Sequence, residues 1–580
     1  MTEEERWARE VYQGPHHQLT LRAALTGMVL GGVLCLSNLY VVLKTGWSLG
    51  VTITATIVAF AFFQALERAR LISRPFSVLE NNAVASIASS GGWMTGGGNM
   101  AALPALLILT GQRPAGLAMF AWFALIASLG VFVAIPLKRQ FINKEKLPFP
   151  MSVATAEALR AMHGTRRGEG RTLSGDLRPA TLLLRAGLVA SLFTLWRDLH
   201  LAWSIPGRLT IAGWFGFDAS VVLLGGGSLM KPRTAWSLLL GAVLTWGVLA
   251  PRFSSGTEFK AQVQFTLWPA AALLASAALT GLALQWRMAG RALDEVLQVL
   301  RRRDTPSEAD RLEAPTWWFF AGFAVLSPPL VGLMWWLFAV PLWAGALAMP
   351  LALLVGVISA RVTGETDVTP TKAMGPLTQL VAGVVLPSNV TANVMSANVT
   401  AGVGLHAADL LSDLKTGWVL GADPRKQVYA QFLGLLVGAA VVVPAFELLV
   451  PDASVLGSEQ FPAPAVMVWA GVSKVLALGG SGLPPFAKEA MALAALLGVL
   501  LVVLEAKVGE ARKKWIPSAS ALGIAMVIPA ATALSMFAGA LLGMVARKRW
   551  SDETITPIAS GLIAGESVTG VVLALLRVVG

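Results

Sequence analysis

Runs of twenty to almost fifty residues without one charged side chain decide what this chain can fold into. A charge at mid-bilayer costs a few kcal/mol, whereas a charge in a loop costs almost nothing, so uncharged runs locate membrane segments. The hydrocarbon core is about 30 Å thick and takes roughly 20 apolar residues in a helix. Residues 23–43 and 45–66 read as a hairpin, 114–137 and 261–286 as single spans, and 314–360 as two spans turning near Pro341. Weaker segments fall near 180–200, 208–230, 235–251, 427–450, 463–483, 488–504 and 554–577. Three further runs stand out, 81–112, 373–408 and 515–546, of which the first is too long for one straight helix. The expectation is an all-α polytopic membrane protein of about 14–18 transmembrane or re-entrant helices, built as two related halves.

Only 13% of the 580 residues are charged, against about a quarter in soluble domains. That excludes a soluble enzyme. The net charge of +12 belongs on cytoplasmic loops facing anionic lipid and does not indicate nucleic acid as a partner. Arg68 to Arg74, Lys138 to Arg178, Arg287 to Arg311, Lys513-Lys514 and Arg547 to Arg549 are the basic loops. The chain divides accordingly into a cytoplasmic N-terminal segment 1–21, a membrane half 22–286, a basic cytoplasmic loop 287–313 and a second membrane half 314–580. The acidic start, Glu3-Glu4-Glu5, is unlike a secretory signal, so the first apolar segment is expected to stay as a span in a plasma (cell inner) membrane with the N-terminus cytoplasmic. Parity between basic loops makes 81–112 one net crossing with a break, and assigns the same to 373–408; irregular backbone at that depth must line a cavity or be buried in protein.

Leu43-Lys44-Thr45-Gly46-Trp47-Ser48-Leu49-Gly50 recurs as Leu414-Lys415-Thr416-Gly417-Trp418-Val419-Leu420-Gly421. Duplicated halves are frequent in secondary transporters, which bind substrate near the midplane. Parity places both copies on the outer side, which makes the repeat parallel.

Both long runs are too polar for lipid. Glu80, Asn81, Asn82, Ser86, Ser89, Ser90, Gly91, Gly92, Thr95, Gly96 and Gly98 crowd the first, and Asn82, Ser86 and Ser89 share a helical face. Ser388, Asn389, Thr391, Asn393, Ser396, Asn398 and Thr400 crowd the second, which ends at His406 and Asp409. A single Ser or Thr there is helix glue; two clusters with asparagines read as the lining of a pathway. Glu566, inside the last apolar segment, is expected to be partly desolvated, the condition under which a carboxyl group carries a proton, with a structural ion pair as the equal alternative. Glu80, Asp409 and Asp413 stand at run edges, where solvation is open to them.

Enzymatic signatures are missing. The chain contains neither GxxxxGK[ST] nor HExxH, its five histidines are dispersed, and Cys35 is its one cysteine; no metal site, cofactor or disulfide is expected.

Several motifs carry a family resemblance. Leu21-Arg22 through Asn38-Leu39-Tyr40, Glu80-Asn81-Asn82 leading to Ala88-Ser89-Ser90-Gly91, Leu147-Pro148-Phe149-Pro150 with Ala154-Thr155-Ala156-Glu157, Asp409-Leu410 with Asp413 to Gly417, Pro424-Arg425 to Gln431, and Gly561 to Ser567 resemble the oligopeptide transporter superfamily, nearest its yellow-stripe-like and prokaryotic branch. The resemblance implies a proton-coupled symporter of small peptides or metal chelates, with about 16 membrane elements built by duplication, no resident cofactor, and a homo-oligomer as one arrangement open to it. By the same analogy the substrate path follows Asn81, Asn82, Ser86, Asn389, Asn393 and Asn398, and the proton-coupling candidates are Glu566, then Glu80 and Asp409. A channel or other permease is the alternative, with a membrane-embedded enzyme behind it.

Overall fold

The computed structural model describes residues 3–579 apart from 15–16, 49, 97, 164–177, 200–207, 213–214, 255, 257, 285–311, 367–368, 370 and 479–482. The expected basic loop 287–313 therefore lies almost wholly outside the described residues. The described chain is all-α but for one hairpin. In order its helices are α1 (Glu3–Glu10), α2 (Leu21–Thr45), α3 (Val51–Arg68), α4 (Val78–Gly92), α5 (Asn99–Thr110), α6 (Gly116–Lys138), α7 (Pro150–Met162), α8 (Arg178–Asp198) and α9 (Val221–Ser228). They continue with α10 (Pro232–Phe253), α11 (Phe259–Leu284), α12 (Trp317–Phe338), α13 (Leu342–Thr366), α14 (Thr371–Val385), α15 (Val390–Leu420), α16 (Pro424–Leu449), α17 (Pro464–Leu478), α18 (Ala487–Lys507), α19 (Ala519–Ala525), α20 (Ala530–Ala546) and α21 (Asp552–Val579). Eleven of the described helices are long and apolar enough to cross a membrane, and three shorter ones are apolar.

Turn chemistry sets the boundaries. Thr20 and Ser77 cap α2 and α4, and Glu80 completes a capping box with Ser77. Gly46 and Gly111 end α2 and α5 in the left-handed conformation. Pro341 lies in the turn between α12 and α13, where the sequence placed it.

Four sequence expectations need correction or refinement. The run 81–112 is indeed an interrupted helix, α4 and α5, broken by a 3-10 turn at Trp93–Thr95. The run 373–408, expected to cross once in net terms, is instead a hairpin: Pro387 and Ser388 turn α14 back into α15. Asn393 donates to the Gln379 carbonyl (2.5 Å) and the Thr378 and Thr400 hydroxyls meet at 2.7 Å, a register that only antiparallel helices give. The segment 208–230 is no span; it forms an antiparallel hairpin, β1 (Arg208–Ala212) with β2 (Phe215–Asp218), followed by the short α9. Charges at Arg208 and Asp218 leave too little uncharged chain for a bilayer at about 1.5 Å per residue.

The fourth concerns the repeat. Along α2 and α4 the pairs Arg22–Glu80 and Asn38–Gly92 run in the same direction, while Ser89–Asp409 and Asn99–Asn398 run in opposite directions along α4–α5 and α15. The two octapeptides are therefore antiparallel and not parallel. Their settings differ as well, since Gly46 ends α2 whereas Gly417 lies inside α15, which continues to Leu420. Parity failed because it counted 373–408 as one net crossing, whereas that run is a hairpin.

Early and late segments interlock. α21 packs on α8, α9 and α2, α16 packs on α2 and α4, and α11 packs on α18. The α4–α16 crossing is close: a Cβ on Gly434 would sit 2.1 Å from the Ile87 carbonyl oxygen, and one on Gly438 would sit 2.5 Å from that of Gly91. Backbone cannot yield as a side chain can. Gly434→Ala is expected to lower stability by about 2 kcal/mol through overpacking, read as a drop in melting temperature of the detergent-solubilised protein. Gly332→Ala, with open space at its Cβ, should leave the melt unchanged or slightly raised.

Candidate functional site

The 31-residue α15 carries the polar stripe of the second run through the middle of the protein, and its N-cap Asn389 accepts from the Ala392 N–H (2.8 Å). From there the seam descends toward the basic loops. Asn393 binds the α14 backbone as described. Asn398 donates to Asn99 Oδ1 (2.8 Å) and accepts from Trp122 Nε1 (2.7 Å), while Asn99 also reaches the Met94 carbonyl (2.8 Å) across the helix break. Asn99, Asn398 and Trp122 are all fully buried. This is where the two predicted polar runs meet.

Deeper along α15 stand His406, Asp409 and Asp413, all buried. Ser89 donates to Asp409 Oδ1 (2.7 Å) and itself accepts from Thr52 (3.2 Å). Gln431 donates to Asp413 Oδ2 (2.6 Å), and Ser90 donates to the Gln431 carbonyl (3.0 Å). Asp409 and Asp413 are one helical turn apart and share a face. Neither forms an ion pair with a cation among the described residues, and Asp409 Oδ2 and both ring nitrogens of His406 have no hydrogen-bond partner there. The edge-of-run setting expected for these acids is not what the chain adopts, because α15 is shielded by other helices and continues past them.

The remaining predicted residues are spread out. Ser86 and Asn82 lie buried on α4. Asn81 turns away from α15, donating to the Thr56 carbonyl (3.2 Å) and meeting His163 Nε2 (3.1 Å).

Glu80 and Glu566 are a different kind of acid. Glu80 receives Arg22 through Nε (2.9 Å) and Nη2 (2.6 Å), the Thr20 hydroxyl (2.8 Å) and the Ser77 N–H (3.1 Å). Glu566, with no exposed surface, receives Arg197 Nη1 (3.0 Å), the Ser220 hydroxyl (2.8 Å) and the Val222 N–H (2.8 Å), with Lys44 Nζ 3.9 Å away. The ion-pair alternative describes its geometry. Arg197 and Ser220 come from segments far from Glu566 in sequence, so no local pattern could have flagged them.

A cavity of about 620 Å³ opens at the end of the bundle away from the basic loops, between the start of α11, the α14–α15 turn, α17 and the segment after α16. Leu267, Trp268, Met467 and Ala470 form its apolar wall. At the basic end the described residues pack together. Trp7 stacks on Trp418 (4.0 Å, 6° between planes) and donates to its carbonyl (2.7 Å), with Lys138 over the Trp418 ring (4.5 Å) and ion-paired to Glu313.

The model of the OPT oligopeptide transporter protein family matches residues 18–577. The chain belongs to that family. Among its relatives, the metal-nicotianamine transporter YSL2 of Arabidopsis thaliana is 24% identical, with 95% of this chain and 92% of that protein aligned. The iron-phytosiderophore transporter yellow stripe 1 of Zea mays is 25% identical, with 96% and 90% aligned. Those names are of transporters and not of enzymes, in keeping with the missing catalytic signatures. This OPT protein is thus an integral membrane protein whose long helices sequester two classes of carboxylate, one matched by cations and one not. Removing Glu566 leaves Lys44 without its ion-pair partner and Arg197 with Asp198 alone. Glu566→Gln is expected to destabilise the OPT fold by about 3 kcal/mol or more, seen as a lower melting temperature. Glu80→Gln should cost less, because Arg22 is part-exposed and can reach water.

Proposed function

We propose that this OPT protein is a secondary active transporter, coupling proton movement to the symport of small peptides or metal chelates across the plasma membrane, with its N-terminus cytoplasmic. The observation that carries the reading is the Asp409–Asp413 pair. Two carboxyl groups a turn apart in low dielectric, held by Ser89 and Gln431 but by no cation among the described residues, cannot cheaply carry two charges. They share a proton readily and can release it when water reaches them. Glu80 and Glu566 have their charge already compensated and serve this mechanism as anchors that fix α2, α8 and α21.

The solute route in this reading follows α15, past Asn389, Asn393 and Asn398, and continues along the Asn82 and Ser86 face of α4, while Asn81, bonded to Thr56 and His163, stands off it. The substrate class is taken from the family description and from the metal-chelate names of the relatives. A channel fits less well, because Asn99, Asn398 and Trp122 close the middle by direct hydrogen bonds and a continuous pore would leave them apart.

Proteoliposomes with an imposed pH gradient test this directly. Tri-alanine or an iron chelate is expected to accumulate above its external concentration only while the gradient lasts. Asp409→Asn should abolish that accumulation while leaving gradient-independent exchange and the melting temperature near wild type. Accumulation that persists after the gradient is collapsed, or that is unchanged in both Asp409→Asn and Asp413→Asn, would refute the proton-coupling assignment.

A further inference from the structure

We propose that the cavity at the end away from the basic loops is a docking site for carboxylate groups of the solute, with Lys260 and Lys474 as its recognition cations. The solute's identity rests on the carrier reading; the binding itself does not.

Size is the first argument, since about 620 Å³ falls within the range of roughly 300–1,000 Å³ that holds small ligands. Charge is the second. The described lining includes Lys260, Gln264, Ser388, Ser454 and Lys474, and it contains no Asp or Glu. Lys260 Nζ donates to the Ser454 carbonyl (2.5 Å), which fixes its ammonium at the cavity while using one of its three donors. Lys474 is solvent-exposed and forms no ion pair among the described residues. Asp452, in the adjoining loop, accepts from the Ser454 N–H (2.6 Å) and is close enough to interact with Lys260, but it is absent from the lining, and Lys474 has no acidic partner among the described residues.

Backbone supplies the third argument. Ser388 holds φ at +68°, a conformation that costs a non-glycine residue of order 1 kcal/mol or more and is retained where surroundings enforce it. That turn brings the first residue of α15, Val390, to the cavity wall, so the positive end of a long helix faces the same space as the two ammonium groups. Three sources of positive potential converge on an apolar-walled hollow. An anion with an organic frame is the ligand such a site selects, and a peptide C-terminus or an aminocarboxylate chelate has that chemistry. Because the site is built on the first turn of α15, occupancy there acts on the helix that carries Asp409 and Asp413.

Calorimetric titration of the full-length protein in nanodiscs tests the proposal, with citrate as probe and its uncharged trimethyl ester as control. Citrate is expected to bind once per chain and the ester not at all. Lys474→Gln or Lys260→Gln should each weaken citrate binding about tenfold, and the double variant about a hundredfold, with Lys474→Arg close to wild type. Both lysines are exposed, so the variants are expected to melt like the parent. Equal citrate affinity in the parent and the double variant, or no citrate binding by the parent, overturns the site. Neither outcome depends on a pH gradient, so the test separates this proposal from proton coupling.

Discussion

Hydrocarbon offers no hydrogen bonds, and that single fact governs this molecule: every polar group carried into the membrane must find its partner inside the protein. α15 takes the largest polar load, and the neighbouring helices are arranged to meet it. Asn99, exposed at a break in its own helix, meets Asn398; Ser89 meets Asp409; Gln431 meets Asp413. The glycines of α16 allow that helix to lie against α4 closely enough for Ser90 to reach the Gln431 backbone. The packing and the polar seam are therefore one design. Loosening the helix contacts would strand the hydrogen bonds, each of which costs more to lose than it contributes when made.

Matched and unmatched acids divide the labour. Glu80 ties the starts of α2 and α4 together, and Glu566 ties α21 to α8 and to the turn before α9. Four donors or near neighbours surround each. Asp409 retains an oxygen without a partner, and His406, one turn earlier, has two free ring nitrogens. Unsatisfied buried groups are retained where function needs them or where water enters in another state of the protein.

The membrane architecture was legible in the chain because charge exclusion acts locally: α6, α11, the α12–α13 pair around Pro341 and the break in the 81–112 run can all be read from composition in a window. What escaped was whatever depended on neighbours distant in sequence. Asp409 and Asp413 mark the edge of an apolar run only if the helix faces lipid; α15 faces protein, so it carries them through. The octapeptide match misled for a related reason, since Lys-Thr-Gly-Trp can end a helix, as at Gly46, or continue inside one, as at Gly417. The asparagines were correctly judged too polar for lipid. That Asn398 bonds to Asn99 and Asn393 to the α14 backbone was beyond what spacing can say, because each partner lies on another helix.

In the carrier reading, the asymmetry between the two ends of α15 specifies what must move. At the basic end the closure is thick: the Trp7–Trp418 stack, the Lys138–Glu313 pair, Arg160 on the Val419 carbonyl and Lys415 on the Leu147 carbonyl all hold the last turns of α15. At the other end the first turn of α15 already borders an open cavity, and the contacts beneath it include the Asn393–Gln379, Thr378–Thr400 and Asn99–Asn398–Trp122 bonds. A tilt of the α14–α15 hairpin that parts those bonds admits solute and water toward Asp409 while the aromatic stack stays shut. Release on the opposite side needs the reverse, with the midplane bonds restored before the stack opens. A protonated, neutral Asp409–Asp413 pair can pass through the dry intermediate more cheaply than a charged one, so the energetic link between proton and solute resides in the cost of burying that pair.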